Sequence, residues 1–189
     1  QIEKERQVIL EEMAMYRDSP EDALQDEFDA TIFQNHALGR NILGTEETVS
    51  RFSQQDFFDF ISSRLDTSRI IFSVVGNISF AKVLKQVESF LLEIPAKKSL
   101  FVRSGFHSYA PQIKVVHKEI SQANCAIGKP ALSLYDKNRF KLFLLNNILG
   151  GPSMNSRLNL ALREKYGYVY NIESVYQAYT DTGFIGIFY

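Results

Sequence analysis

Apolar residues recur at helical spacing over residues 1 to 17, where Ile2, Val8, Ile9, Met13 and Tyr16 fall on one side, and this predicts a first helix. Asp18-Ser19-Pro20 ends it. Ser19 and Pro20 supply a suitable N-cap and first-turn residue for a second helix, predicted to about Asn35. A loop with Gly39 and Gly44 follows, and Ser53 caps a predicted helix through about Leu65. Arg69 to Val75 is a short β-rich run closed by Gly76-Asn77, and Ser79 caps a helix to about Leu92. Pro95 to Ser99 reads as a boundary, and 100–111 shows no regular period.

Beyond that point the pattern changes. Ile113 to Glu119 and Asn124 to Ala131 read as strands, and Asn138 to Leu149 as a helix. Gly150-Gly151-Pro152 is a loop, after which Ser153 or Asn155 caps a helix reaching Lys165. Tyr168 to Tyr176 and Phe184 to Tyr189 read as strands paired about Asp181-Thr182-Gly183. The sum is an α+β chain, helix-rich first and sheet-rich later, with no short repeat and no low-complexity stretch. The expected division is 1–97, a linker at 98–112, and 113–189.

Composition narrows the class. With 189 residues, 45% hydrophobic and 13% aromatic, the chain has an ordinary folded composition, not a disordered or fibrous one. Its 21 basic and 22 acidic residues give a net charge of -1, so nothing draws it strongly to nucleic acid or an anionic membrane. No apolar run approaches the roughly 18 residues of a membrane span. The lone cysteine, Cys125, excludes an internal disulfide framework and reads as a small core residue. There is no initiator Met, and the alternation at 184–189 reads as a strand still in progress, so a segment of a longer polypeptide is expected.

Two constellations carry candidate chemistry. At 100° per residue, the apolar arc of residues 1 to 17 centres on Ile9 and Tyr16, and Glu5 and Glu12 fall inside it. They are seven residues apart, about 20° short of two full turns, so both carboxylates point the same way. Acids in an apolar stripe are costly unless paired, protonated or bound to a cation. Two readings stay open: glutamates at a loosely buried edge, neutralised by an arginine, or a metal-ligating carboxylate with a supporting acid on the same face. The second constellation is Gly150 to Leu158, which joins two helices, with Arg163 one position beyond the core stripe of Leu158 and Leu162. Tyr168, Tyr170, Ile172, Ser174 and Tyr176 would share one side of the strand that follows. Guanidinium and phenol can both donate to peptide carbonyls, so Arg and Tyr could grip a backbone; equally, the glycines could be a plain turn and the tyrosines sheet packing. No Gly-Lys-Ser/Thr follows the glycines, so this is not a phosphate loop.

Taken in order, four segments resemble those of the insulinase/pitrilysin zinc peptidases, a family that includes the mitochondrial processing peptidase. Glu5-Arg6-Gln7-Val8-Ile9-Leu10-Glu11-Glu12-Met13 is similar to the family's E-R-x-V-I-x-x-E-hydrophobic helix. His36-Ala37-Leu38-Gly39-Arg40-Asn41-Ile42-Leu43-Gly44-Thr45-Glu46 resembles its H-P-L-G-R-P-I-L-G-T-x-E segment, with Ala37 in place of proline. Val74-Val75-Gly76-Asn77 resembles its V-V-G-D/N strand end, and Gly150 to Tyr170 its G-G-x-x-S-R-L-x-x-x-L-R-E-K-x-G-x-x-Y signature. The resemblance spans nearly the whole chain. It implies two-layer α+β metallopeptidase domains of the processing-peptidase type, in tandem and each partly present. The residues up to 97 would be the later part of the catalytic domain, and those from 113 the opening part of a second, homologous domain that contacts substrate.

The resemblance also implies roles. Glu12 matches the distal zinc ligand and Glu5 the acid two turns earlier that supports the catalytic site. Arg163 and Tyr170 match the pair that contacts substrate from the second domain. The implied activity is a zinc metalloendopeptidase acting on extended peptides or unfolded segments inside a two-half chamber. The metal activates a water and stabilises the oxyanion, while a motif glutamate serves as base. The departure is large: H-x-x-E-H is absent, and with it the base and two of three protein ligands. One carboxylate is too few for a catalytic zinc site, so the 189 residues alone are expected to be inactive and metal-free. The alternative within the family is a non-catalytic recognition or scaffold subunit, and outside it a plain α+β binding module. The partners implied are a peptide substrate and a second copy or a related subunit, with no nucleic acid. The compartment stays open between bacterial cytoplasm or periplasm and the mitochondrial matrix.

Overall fold

A computed structural model describes residues 1–100 and 102–189. The elements in chain order are α1 (Ile2–Asp18), α2 (Pro20–Ile32), a 3₁₀ turn (Ala37–Gly39), α3 (Glu46–Arg51), α4 (Gln54–Arg64), a second 3₁₀ turn (Thr67–Arg69), α5 (Phe80–Leu91), β1 (Ala126–Pro130), α6 (Arg139–Gly150), a π-helix (Asn159–Lys165), β2 (Glu173–Ala178) and β3 (Gly183–Phe188). They form two compact units, one of Gln1–Arg51 with Ser104–Tyr189, the other of Phe52–Arg103. The α+β class read from the sequence holds. The expected division at 97 and 113 follows the break at Pro95–Ser99 and the tandem domains that the resemblance implies, a different criterion from compactness.

In the first unit, α1 packs on α2 and α3, α2 packs on β1, and α6 packs on β2. The three strands run antiparallel in the order β1-β3-β2. β2 and β3 form the expected hairpin, closed by Tyr179 N–H donating to Thr182 O at 2.8 Å. Cys125 and Tyr189 extend the β1–β3 ladder, with N–H to O distances of 2.7 and 3.0 Å.

The core forms where α2 meets the sheet. Phe28 and Ile32, one turn apart, join Phe33 and Phe184 as its buried centre. Phe28 can lie this close because Gly128 and Gly186 pair in register beneath it. A methyl on Gly128 would come within 2.5 Å of the Phe28 ring tip, and one on Gly186 within 2.9 Å. Phe184 and Phe188 flank that ring edge-on, with centroids 5.2 and 4.9 Å away. Truncating a buried Phe in such a setting costs about 3–5 kcal/mol.

In the second unit, Ser53 and Asp56 form the reciprocal capping box at the start of α4. The Ser53 hydroxyl and N–H hold the Asp56 carboxyl below its ordinary range. Asp66 caps the second 3₁₀ turn by accepting from Ser68 N–H at 3.1 Å, and Thr67 N–H donates to Lys97 O at 2.8 Å. Several large apolar side chains of this unit face outward, among them Phe60, Phe80 and Phe90.

Some expected elements do not form. Residues 69–75 and 113–119 lie in no ladder, and Ile71 and Ile113 are almost fully exposed. β-rich composition marks what a strand accepts, but a strand exists only where a neighbour takes its hydrogen bonds. The strand expected from Tyr168 begins at Glu173 instead. Ser153 and Asn155 bond each other at 2.6 Å and cap nothing, and the helix after them is π-helical over Asn159–Lys165. Neither Ser19 nor Ser79 makes a side-chain cap bond, although Pro20 opens α2 as expected.

Asp29, beside Phe28 on α2, leaves carboxylate Oδ1 buried without a hydrogen-bond partner. Burial raises its pKa, Gln25 lowers it through a hydrogen bond, and neighbouring Asp26 raises it further. Because the folded-state value is raised, the ionised form destabilises the fold. That cost is absent below the ordinary carboxylate pKa near 3.9, grows as pH rises through the folded value, and is complete above it. Asp29→Asn therefore raises Tm at pH 7 by roughly 2–4 °C for each kcal/mol relieved, and the gain fades below about pH 4. Thermal melts at both pH values check this; a lower Tm at pH 7 would contradict it.

Candidate functional site

Glu5 and Glu12 both lie on α1, seven residues and about 10.5 Å apart along the axis, and share one face. Both side chains are exposed. The inward face of α1 is Ile2, Arg6, Ile9, Leu10 and Met13, turned roughly 50° from the arc expected around Ile9 and Tyr16. Arg6 explains the rotation. Its side chain is 19% exposed and its Nε donates to Val49 O of α3 at 3.2 Å, so its aliphatic stem joins the packed face. The two acids thus bear no burial cost within this chain, which corrects the expectation of acids sunk in an apolar stripe. Tyr16 is half exposed for the same reason.

Arg163 and Tyr170 lie on one excursion between α6 and β2. Arg163 sits inside the π-helix, with its side chain 37% exposed and its Nε 3.9 Å from Glu164 Oε1. Tyr170 lies before β2 and is 89% exposed. Tyr166 and Tyr168 stack between them, centroids 5.3 Å apart at 10°, and the Lys165 ammonium lies 5.0 Å from the Tyr166 ring centroid. The chain reverses at Gly167, whose φ is +64°. Gly167 N–H donates to Arg163 O at 3.1 Å and Tyr168 N–H to Leu162 O at 2.9 Å. This is a Schellman-type cap widened by one residue, as a π-helix requires. Both candidate groups therefore present donors outward. Among the described residues, no hydrogen bond or ion pair joins Glu5 or Glu12 to Arg163 or Tyr170.

What holds this excursion is polar and was not read from the sequence. Asn159 Nδ2 donates to Ser156 Oγ at 2.9 Å and to Ile172 O at 3.3 Å. Asn146 Nδ2 donates to Ser174 O at 2.9 Å, and Ser174 Oγ returns a bond to Asn146 Oδ1 at 2.6 Å. All four polar residues are buried, as is Ile172. The available signal was an asparagine within each apolar helical run, Asn146 after Leu144-Leu145 and Asn159 beside Leu158, where a core position carries an amide.

An open cleft of about 690 Å³ lies elsewhere in the same unit, lined by α1, α2 and the loop of residues 39–47. Arg17 and Glu46 on its wall form an ion pair. None of the four candidate residues lines it. The fit to zinc can be stated from the donor set. Glu12 is a single exposed carboxylate, a catalytic zinc normally takes three protein ligands, and no group of three or more potential ligands clusters among the described residues. The described residues do not by themselves make a zinc site.

Comparison with known proteins places this geometry. The family model described as the peptidase M16 inactive domain matches residues 51–189. The chain belongs to the peptidase M16 family, which bears out the insulinase-family resemblance. It is 34% identical over 194 residues to an uncharacterized zinc protease of Streptomyces coelicolor, covering 99% of this chain and 42% of that protein. It is also 34% identical to the uncharacterized zinc protease YmxG of Bacillus subtilis, covering 100% of this chain and 45% of that protein. The chain thus spans less than half the length of these relatives. The fold is similar to a peptidase M16 inactive domain from Pseudomonas fluorescens, at 16% identity and a TM-score of 0.87 over 99% of this chain and 45% of that one. It is also similar to a protease from Helicobacter pylori, at 21% identity and a TM-score of 0.78 over 99% of this chain and 46% of that one. No helix among the described residues is long and apolar enough to cross a membrane.

A methyl on Gly167 would meet no neighbouring atom within 4 Å, so any cost of Gly167→Ala is backbone strain at positive φ. That strain amounts to about 1–2 kcal/mol. Urea denaturation of the variant should show a stability loss of that size, and an unchanged midpoint would refute the left-handed turn.

Proposed function

We propose that this chain is the part of a zinc-dependent endopeptidase that completes one side of the zinc site and holds the substrate. In this reading residues 1–97 are the later part of the catalytic domain, 98–112 a linker, and 113–189 the opening of a second, homologous domain. Glu12 supplies one zinc ligand, and Glu5 supports it from the same helix face. The remaining ligands belong to an H-x-x-E-H motif that this sequence does not contain. Arg163 and Tyr170 donate hydrogen bonds to the carbonyl oxygens of an extended peptide lying in a chamber between two halves. A grip on backbone reads side chains poorly, so sequence preference is loose. The 189 residues alone neither hold zinc tightly nor hydrolyse peptides, because they carry one ligand of three.

Membership of the M16 family carries this reading, together with the four signature segments in order and relatives named as zinc proteases. The placement of Glu5 with Glu12 on one accessible face, and of Arg163 and Tyr170 on one outward excursion, supports it. A second reading, a non-catalytic recognition or scaffold subunit of the family that pairs with a related chain, is favoured by one observation: the matched model is that of the inactive domain. An intact upstream H-x-x-E-H in the whole protein means enzyme, and a degenerate one means subunit.

In a polypeptide of the relatives' length that includes this chain, Arg163→Ala lowers kcat/KM on an unstructured peptide by about tenfold or more, the loss of one charge-assisted hydrogen bond. Steady-state kinetics check it, and unchanged kinetics would remove Arg163 from the substrate grip.

A further inference from the structure

We propose that Asn159 is a positioning residue for the Arg163–Tyr170 substrate grip, an inference that rests on the reading above. Both gripping side chains lie between residues 160 and 171. That stretch runs from buried Asn159 to Ile172, which is 1% exposed. It is thinly packed: Leu160, Tyr166, Tyr168 and Tyr170 are all more than half exposed, and Ala161, Leu162 and Val169 are only part-buried. The Asn159 side chain bonds its two ends together. One nitrogen uses both protons, on Ser156 Oγ at 2.9 Å and on Ile172 O at 3.3 Å. The orientation of the amide follows from its partner: a backbone carbonyl only accepts, so the nitrogen must face Ile172. An aliphatic side chain would fill the same space and leave the neck untied.

The far side of the neck is pinned as well. Asn146 and Ser174 exchange bonds that hold the start of β2 on α6. Gly150 permits that approach, because a methyl there would stand 2.8 Å from Ser174 N. With Ile172 and Ser174 fixed, the Asn159 bond sets where the π-helix lies against the start of β2, and so how far Arg163 stands from Tyr170. Hydrogen bonds weaken steeply with misalignment, and misplacing a binding group by about 1 Å can cost a hundredfold in rate. Loss of this bond is therefore felt in substrate binding as well as in folding.

The test uses a zinc-depleted polypeptide of the relatives' length, so that binding is read without turnover, and a fluorescently labelled unstructured peptide followed by anisotropy. Asn159→Leu should weaken binding by about tenfold while leaving the far-UV spectrum unchanged, and should add nothing in an Arg163→Ala background. Ser156→Ala, which removes one of the amide's two acceptors, should give a smaller loss with the same dependence on Arg163. It carries the test if Asn159→Leu does not fold. Wild-type affinity in both variants, or an equal loss with and without Arg163, would overturn the positioning role. If the wild-type protein is folded and binds no peptide, the grip itself is refuted and this inference with it. If Arg163→Ala weakens binding but neither neck variant does, the inference alone fails.

Discussion

The Phe28 ring lying against a pair of glycines is the contact on which the arrangement of the first unit depends. It is the point where the helical half of this unit meets its sheet. α1 packs on α2, α2 carries Phe28, and Phe28 reaches the sheet backbone because Gly128 and Gly186 stand opposite each other in register. A side chain at either glycine would collide with the tip of the Phe28 ring, and at Gly128 also with Ile185 O. The face that presents Glu5 and Glu12 and the sheet that ends the Arg163–Tyr170 excursion are thus referred to one another through the core of Phe28, Ile32, Phe33 and Phe184. The edge-on rings of Phe184 and Phe188 fix it from both sides.

The two candidate groups are held in different ways. The acids sit on a regular helix, so their separation follows from helix geometry alone, and nothing in this chain covers them. The Arg and Tyr sit on a stretch that neither ladder nor core retains, and it is tied by buried amides and hydroxyls instead. Buried polar networks of this kind contribute little net stability when satisfied but single out one geometry. That division suits the proposed grip, which needs donors at fixed spacing.

Much of this was legible in the sequence. Helix positions follow from periodicity and from Pro20 and the Ser53 cap; the hairpin follows from alternation about Asp181-Thr182-Gly183. These are local signals and survive in the fold. What failed was tertiary. Residues 69–75 and 113–119 have strand composition but no partner to complete a ladder. The inward face of α1 is turned from the expected arc because Arg6 joins it: its stem packs and its Nε bonds Val49 O. Of the candidate site, the residue identities were legible through family resemblance, and the shared face of Glu5 and Glu12 through their spacing alone. The role of Asn159 was not, since the strand segment it bonds lies 13 residues away and an amide in an apolar run has no period to betray it.

In the proposed function Glu12 serves a zinc site whose other ligands belong to an H-x-x-E-H motif absent from these 189 residues. Elemental analysis of a polypeptide of the relatives' length tests it most directly, comparing wild type with Glu12→Gln. The wild type should carry about one zinc per chain, lost in the variant while the fold is kept. Zinc retained by Glu12→Gln, or no zinc in a well-folded wild type, would contradict it.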